Sequence, residues 1–497
     1  LNKPTKIAKE AGITLFGESY GGFTRFLFLG LLSRWVGPRL LGLYALANAV
    51  TRITSVVATF GLDRGILRFV SYYRGKQDQD RVLSAVATAI KIGLFSALAM
   101  MFLQMSLSGL LTKYVFHADP WLRLLIIFFS LSLPLGVAVN IMSYATQGYK
   151  LLKYKVAVTL IIQPTALLAG LGICYLFFPQ KLGLFVPELF AVTVGVGFIW
   201  KFLKDLTGFT SADILPVPVD KELLKFSAPL MFMTIISTLM HWIDIIMLGI
   251  FLDSASVGLY HPAVRTMGII RMFMLSFNGI FSPMISELYA KDDFEEMGKL
   301  FKLVFRWIFT FALPFVIVLV LYPAKIMLLF GPGFVAGKEV IRILAVAMLV
   351  QSITGIGGSL LVMIGRTTLN LYNIMAAASV NIILNVILIP RMGLIGAAWG
   401  TVGAMLLLAL IRLIECKVIV NLHPFQTKLM KPLLAGISTF LVAYFMKPLI
   451  EPWHTVLTLT TVMIVAGLVY GAVIYALKLD DDDLQVIRAM SQLIKRK

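Results

Sequence analysis

The sequence predicts an all-α polytopic membrane protein of about fourteen transmembrane helices. Three observations predict it. First, 59% of the 497 residues are hydrophobic, 14% are charged and mean hydropathy is +0.90. A soluble globular chain carries about 25% charged residues. Second, the apolar residues come in runs of about 20, the length that crosses a ~30 Å hydrocarbon core. Third, residues 36–76 repeat at 252–292 without a gap. Gly42-Leu43-Tyr44 falls on Gly258-Leu259-Tyr260, Ala47 on Ala263, Ile53 on Ile269 and Tyr73 on Tyr289. A duplicated membrane unit is the expected layout of a secondary transporter.

Taken in order, the predicted spans are roughly 11–33, 40–62, 82–108, 122–146, 155–178, 182–203, 226–250, 257–285, 303–322, 338–364, 368–389, 394–416, 431–447 and 453–477. Each is expected to be helical, because backbone facing lipid must satisfy its own hydrogen bonds. The first begins near Ala11 and is full length, so it does not read as a cleavable signal peptide. The last two spans carry the weakest signal, and without them the count is twelve. With both termini cytoplasmic, inner segments hold about 29 Lys and Arg and outer loops about 10, as the positive-inside rule requires. Arg64, Arg68, Arg74, Lys76 and Arg81 in one inner loop contribute most, followed by Lys150, Lys153 and Lys155.

The resulting division is an N-terminal six-helix lobe at 1–205, a cytoplasmic linker at 206–225, a second six-helix lobe at 226–420, two further helices at 421–478 and a tail helix at 479–497. The linker holds LPVPVD, whose prolines favour an extended connector. In the tail, Asp480 to Asp483 open a helix that closes on basic residues, which complements the helix dipole. Leu484, Ile487 and Ile494 share a face, as in a helix lying on the inner leaflet.

Several functions are excluded. The net charge of +19 follows the basic inner loops, so nucleic acid is not an expected partner. Cys174 and Cys416 lie in or beside apolar spans and form no disulfide framework. No Asn-x-Ser/Thr sequon occurs. Five histidines form no metal motif. GPGFVAGKE at 331–339 misses the phosphate-loop spacing and has Glu339 where Ser or Thr belongs. The loops are too short for a catalytic domain, so the protein is not expected to be an enzyme.

Residues 364–401, IGRTTLNLYNIMAAASVNIILNVILIPRMGLIGAAWGT, resemble the C-terminal region of the polysaccharide-biosynthesis flippases of the MOP exporter superfamily. The matching positions are Gly365-Arg366, Leu384-Asn385, Leu388-Ile389-Pro390, Gly393 and Gly396-Ala397-Ala398. LLFGPGFVAGKEVIRILA at 328–345 is similar to the loop before that family's tenth span. GLYALANAV…GLDRGILRFVSYYRG resembles its N-terminal half. The resemblance implies two pseudo-symmetric six-helix lobes in a MATE-like V around a central cavity, with two additional C-terminal helices. It implies alternating access and movement of a polyprenyl-diphosphate-linked oligosaccharide from the inner to the outer leaflet of the cell membrane. Relatives include lipid II flippases and MATE transporters. A monomer is expected, with the glycan lipid, membrane lipids and a glycan polymerase or ligase as partners. No resident cofactor or metal is expected, and Na⁺ or H⁺ would be the coupling ion.

Ionisable residues at membrane depth are the candidate site. Arg25, Arg52, Lys91, Arg265 and Arg271 lie inside spans, where an arginine costs ~2.5–3.5 kcal/mol unless it finds a partner or a wet cavity. Guanidinium binds diphosphate oxygens in a bidentate way, and the resemblance places Arg25, Arg52 and Arg271 in a cationic cavity. The alternative is an arginine paired within its own lobe, such as Arg25 with Glu18 on one helix face. Lys91 and Arg265 can instead reach the membrane interfaces. Asn278 is seven on from Arg271 and shares its face. Ion-coupling candidates are Glu18, Glu188, and the pair His241 and Asp244 three apart on one helix; the bland alternative is a structural hydrogen bond. Asp63 and Arg64, at the inner end of the second span, read as a local ion pair, with a gate as the alternative. A drug or cation antiporter of the same fold is the second hypothesis, and it needs exposed carboxylates. A scramblase or scaffold is the third, and it predicts no dependence on a gradient.

Overall fold

A computed structural model describes residues 3–210, 217 and 220–477. No strand occurs among them. Linker residues 211–216 and 218–219 and the tail helix expected at 479–497 lie outside the described residues. The chain forms two compact units. Unit 1 is Leu1–Thr266 with Ile382–Ala397, and unit 2 is Met267–Asn381 with Ala398–Lys497.

Unit 1 opens with α1 (Lys3–Thr59), which bends at Gly37, φ 76° and ψ 175°. Pro38 follows, and a proline disfavours α geometry in the residue before it. Glycine takes the positive φ without steric cost. The bend divides α1 into the two crossings predicted at 11–33 and 40–62. Next come α2 (Leu62–Gly75) and α3 (Gln79–Leu110), which continues as a π-helical turn, Leu111–Val115. Asp78 caps α3 by accepting the Arg81 N–H at 3.1 Å. Helices α4 (Trp121–Ser130) and α5 (Ser132–Gly148) share the fourth predicted span. The fifth is α6 (Leu152–Val156), a π-helical turn at Ala157–Ile162, and α7 (Gln163–Phe177). Then follow α8 (Val186–Thr207), α9 (Lys221–Phe251) and α10 (Ser254–Thr266). Asp220 caps α9 by accepting the Glu222 and Leu223 N–H groups at 2.9 and 3.2 Å. Unit 1 therefore reaches across the linker to include α9 and α10. Its core joins Ile66 and Val70 of α2, Val86 of α3, Ile141 of α5, Leu203 of α8 and Leu223 of α9.

Within unit 1 the two copies of the internal repeat touch. The second half of α1 crosses α10 at Gly42 and Gly258. A Cβ on Gly42 would lie 1.6 Å from the Ser254 carbonyl oxygen, and one on Gly258 would lie 1.9 Å from that of Pro38. Only glycine at both positions permits this approach. The flanking tyrosines then reach the same place in each copy. Tyr260 donates its hydroxyl to Asp244, sixteen residues upstream, at 3.1 Å. Tyr44 packs its ring on Phe28, at the equivalent offset, with centroids 6.5 Å apart.

Unit 2 contains α11 (Gly268–Ala290), α12 (Phe294–Leu321), α13 (Pro323–Leu328), α14 (Lys338–Met363), α15 (Thr367–Met392), α16 (Leu394–Val420), α17 (Met430–Ile450) and α18 (Thr455–Ala476). The end of α15 and the start of α16 belong to unit 1. Phe281, Phe301, Phe305, Ile356 and Leu360 form its core. The two last helices pack on α12 through Ile317, Leu321, Ala443, Ile450 and Val462. The Tyr322 hydroxyl also donates to the Ala443 carbonyl at 2.6 Å. Phe445, Leu449, Leu468 and Tyr475 on α17 and α18 stay exposed, as a lipid-facing surface requires.

Twelve helical stretches among the described residues are long and apolar enough to cross a membrane. The first, Gly12–Gly75, runs 64 residues through the bend at Gly37 and the break before α2, and holds the first two predicted spans. The predicted eighth span falls on α10 and α11, separated at Met267. Every predicted span thus lies on helix, including the last two.

The Gly42–Gly258 crossing yields a direct test. Gly42→Ala should destabilise the protein by about 3 kcal/mol or more, read as a fall in unfolding temperature in detergent. Gly22→Ala should leave that temperature unchanged, because a Cβ there meets nothing within 4 Å.

Candidate functional site

Unit 1 gathers four of the predicted ionisable residues, since Arg25, Arg52, Glu18 and Glu188 lie within electrostatic reach of one another. Each owes its position to a local irregularity or a neighbouring helix. Arg25, on the first half of α1, donates through Nη2 to the Thr159 carbonyl at 2.7 Å. Thr159 belongs to the π-helical turn Ala157–Ile162. Pro164 lies just beyond that turn and has no N–H to give the Leu160 carbonyl, so regular α bonding fails there. Arg25 is exposed, and no bond between it and Glu18 occurs among the described residues. Seven positions of separation keep the two apart.

Arg52 lies on the second half of α1. Its Nη2 pairs with Glu188 Oε1 at 3.0 Å, and its Nε donates to Asn48 Oδ1 at 3.1 Å. Glu188 stands in the first turn of α8, where the helix dipole stabilises a carboxylate. The Arg52 side chain remains 55% exposed and that of Glu188 is 15% exposed. Glu188, read from the sequence as an ion-coupling residue, is thus the partner of Arg52.

A second polar cluster in unit 1 centres on Asp244. It accepts from the Tyr260 hydroxyl at 3.1 Å and from Asn385 Nδ2 at 2.7 Å. His241, on the same helix, is exposed and its Nδ1 lies 3.0 Å from the Ser237 carbonyl oxygen. Arg265 sits over the Trp242 ring, 4.7 Å from its centroid, a cation–π contact. Trp242 in turn stacks on the buried His261. Lys91 is half-buried on α3. In unit 2, Arg271 is exposed on α11, and Asn278 is half-buried with an Oδ1 that receives no donor.

One expectation fails. Asp63 and Arg64 do not form an ion pair: Asp63 is buried, Arg64 is exposed, and consecutive residues at a helix start point to different faces. The sequence reading also missed Tyr260 as the donor to Asp244, and the Thr159 carbonyl as the acceptor for Arg25. Tyr260 was visible as part of the repeat. The carbonyl could be suspected only from Pro164.

Solved structures share the fold. Lipid II flippase MurJ, in an inward closed conformation, matches with a TM-score of 0.74 at 15% identity, over 94% of this chain and 98% of that one. A multidrug resistance MATE family transporter of the MOP superfamily, inward-facing, matches at 0.70 and 16% identity, over 83% and 98%. An uncharacterized membrane protein of Methanocaldococcus jannaschii is 24% identical over 463 residues, 89% of each chain. The "probable low-salt glycan biosynthesis flippase Agl15" of Haloferax volcanii is 28% identical over 161 residues, 32% of this chain and 34% of that protein. Residues 229–387 match the MatE family. The fold is thus that of a multi-pass membrane protein, shared with MurJ and with MATE transporters of the MOP superfamily. Residues 7–289 match the polysaccharide biosynthesis protein family, and the chain belongs to that family.

The exposure of Arg52 sets the strength of its ion pair. A double-mutant cycle with Arg52→Ala and Glu188→Gln should give a coupling below about 1 kcal/mol in thermal unfolding, as for other solvent-reached pairs. A coupling above about 3 kcal/mol would mark a buried structural bridge instead.

Proposed function

We propose that the protein moves a polyprenyl-diphosphate-linked oligosaccharide from the inner to the outer leaflet of the cell membrane by alternating access. The glycan would then enter assembly of a surface polysaccharide or other surface glycan. Arg25 carries this reading. It is a cation at membrane depth with no carboxylate bonded to it among the described residues, and its guanidinium donates to one backbone carbonyl. A guanidinium has five N–H donors, so several remain for diphosphate oxygens in the bidentate manner that favours arginine. Arg52 can exchange Glu188 for the same ligand; in unit 2, Arg271 and Asn278 are a cation and an amide of the same chemistry. Lys91 and Arg265 are the further cations that the sequence offers for the same role.

Transport draws on an ion gradient or the membrane potential, worth ~2.3 kcal/mol per elementary charge per 100 mV. Asp244 is the leading candidate to take up H⁺ or Na⁺, because Tyr260 and Asn385 already hold its carboxylate in place; His241, Glu18 and Glu188 are further candidates. Both termini would be cytoplasmic. The protein would act as a monomer that delivers its product to a glycan polymerase or ligase.

A second reading, a proton- or sodium-coupled drug or cation antiporter, draws on Glu18 and Glu188 near the arginines and on the MatE match. The two readings separate in proteoliposomes. Arg25→Ala should slow translocation of a fluorescent polyprenyl-diphosphate sugar by ~10–100-fold, the loss of one charge-assisted bond worth about 1.5–3 kcal/mol. Arg25→Lys should recover only part of the rate, because lysine lacks the planar fork. Undiminished lipid translocation by Arg25→Ala and Arg271→Ala would remove the anion site. Cation efflux without lipid translocation would establish the antiporter.

A further inference from the structure

The junction between α1 and α2 contains a feature that the transport site does not use. Helix α1 stops at Thr59, and Phe60 and Gly61 adopt φ of 53° and 68° before α2 begins. At this break lies a cavity of about 60 Å³ lined by Ser55, Val56, Thr59, Gly61, Asp63, Asn140 and Thr234. Helices α1, α2, α5 and α9 of unit 1 contribute to it. A water needs ~10–15 Å³ by a comparable measure, so the space admits a small ion with a few waters.

We propose that this cavity is a Na⁺ site. Asp63 is 9% exposed, and its carboxylate has no hydrogen bond or ion pair among the described residues. Lys155 lies within electrostatic reach of Asp63 but makes no hydrogen bond to it. Lys155 Nζ donates to Gln147 Oε1 at 2.9 Å and sits 3.4 Å from the centre of the Tyr144 ring, and Arg64 is exposed. A buried carboxylate whose oxygens accept no hydrogen bond is costly, and a cation in the cavity lowers that cost.

The neutral donors are oriented for a cation. The Thr59 hydroxyl donates its hydrogen to the Ser55 carbonyl, and that of Thr234 donates to the Leu230 carbonyl, at 2.8 and 2.9 Å. Both hydroxyl oxygens therefore keep lone pairs for a ligand. The Asn140 amide has no hydrogen bond among the described residues. The Phe60 N–H turns back to the Val57 carbonyl at 3.1 Å instead of closing the regular helical bond to the Val56 carbonyl. It lies at the C-terminal end of α1, where the helix dipole is negative. Unwound carbonyls and helix C-termini are the groups that coordinate Na⁺ in broken-helix transporters. A single carboxylate among neutral oxygens suits a monovalent ion, since Ca²⁺ and Mg²⁺ sites gather more oxygen charge or keep more water.

The site is separate from Asp244 and stands whether or not the cargo is a lipid-linked glycan. The test is ²²Na⁺ binding to the purified full-length protein in detergent, with choline chloride holding ionic strength constant. Wild type and Asp244→Asn should both show a saturable component that Asp63→Asn lacks. Asn140→Leu with Thr234→Val should weaken it at least tenfold, and this pair serves if Asp63→Asn does not fold, as judged by monodispersity in choline. Equal binding by Asp63→Asn and wild type, loss of all binding in Asp244→Asn alone, or no saturable binding in wild type would each overturn the proposal. The last result would leave the cavity to water.

Discussion

The backbone crossing of α1 and α10 constrains the architecture of unit 1. Two helices can approach this closely only where neither carries a side chain, and Gly42 and Gly258 meet that requirement from both sides. The crossing brings the two copies of a duplicated sequence into contact and fixes the rotation of each helix. Rotation then decides what each tyrosine meets. On one copy Tyr44 finds Phe28, and the contact is apolar. On the other Tyr260 finds Asp244, and the contact is a hydrogen bond to a carboxylate. The same geometry thus carries a hydrogen bond to a carboxylate in the second copy, and Asn385 holds the other oxygen of that carboxylate. A duplicated scaffold can acquire a charged site this way without redesigning its packing.

Placing a charge in an apolar span demands a partner, and the protein meets that demand differently each time. Arg52 has a carboxylate and an amide. Arg25 has a backbone carbonyl, which satisfies a donor without neutralising its charge. Arg265 has an aromatic face. These choices are not equivalent for function. A carboxylate partner cancels the field that would attract an anion, whereas a carbonyl or a ring leaves most of it. Arg25 therefore ranks above Arg52 as an anion receptor, although the sequence alone treats the two alike. Conversely, the Arg52–Glu188 pair is the one suited to exchange, because the half-exposed Arg52 guanidinium can trade its carboxylate for a ligand phosphate at little net cost.

Much of the fold was legible because hydropathy and helix are coupled inside a membrane. A run of about twenty apolar residues must become helix there, so all fourteen predicted spans fall on helices, down to the two packed on α12. The resemblance at Gly365-Arg366 and Leu384 to Ala398 pointed to the family. The identity of the ionisable residues was equally plain, since Arg25 or Asp244 in an apolar run stands out. Their partners were not. Thr159 is 134 positions from Arg25 and Asn385 is 141 from Asp244, and nothing in a single sequence links such pairs. Asp63 failed for the opposite reason. Adjacency in sequence suggested a bond to Arg64, but neighbours at a helix start diverge by roughly 100° around its axis.

The charged groups and the helix defects coincide. Arg25 binds a carbonyl in the π-helical turn before Pro164. Asp63 opens on the break at Phe60 and Gly61. The bend at Gly37 sits one turn before Gly42 and allows the second half of α1 to meet α10 at all. In a regular helix every interior carbonyl is taken by the amide four residues on, so a buried charge finds only side chains to bond. A defect releases backbone oxygens at fixed positions and keeps them free of water. That makes a defect a ligand donor built from the backbone itself. It also explains why hydropathy could outline the helices yet miss the sites. The pattern of apolar residues runs straight through each defect, and only Pro38, Pro164 and Gly61 mark where the backbone departs from it.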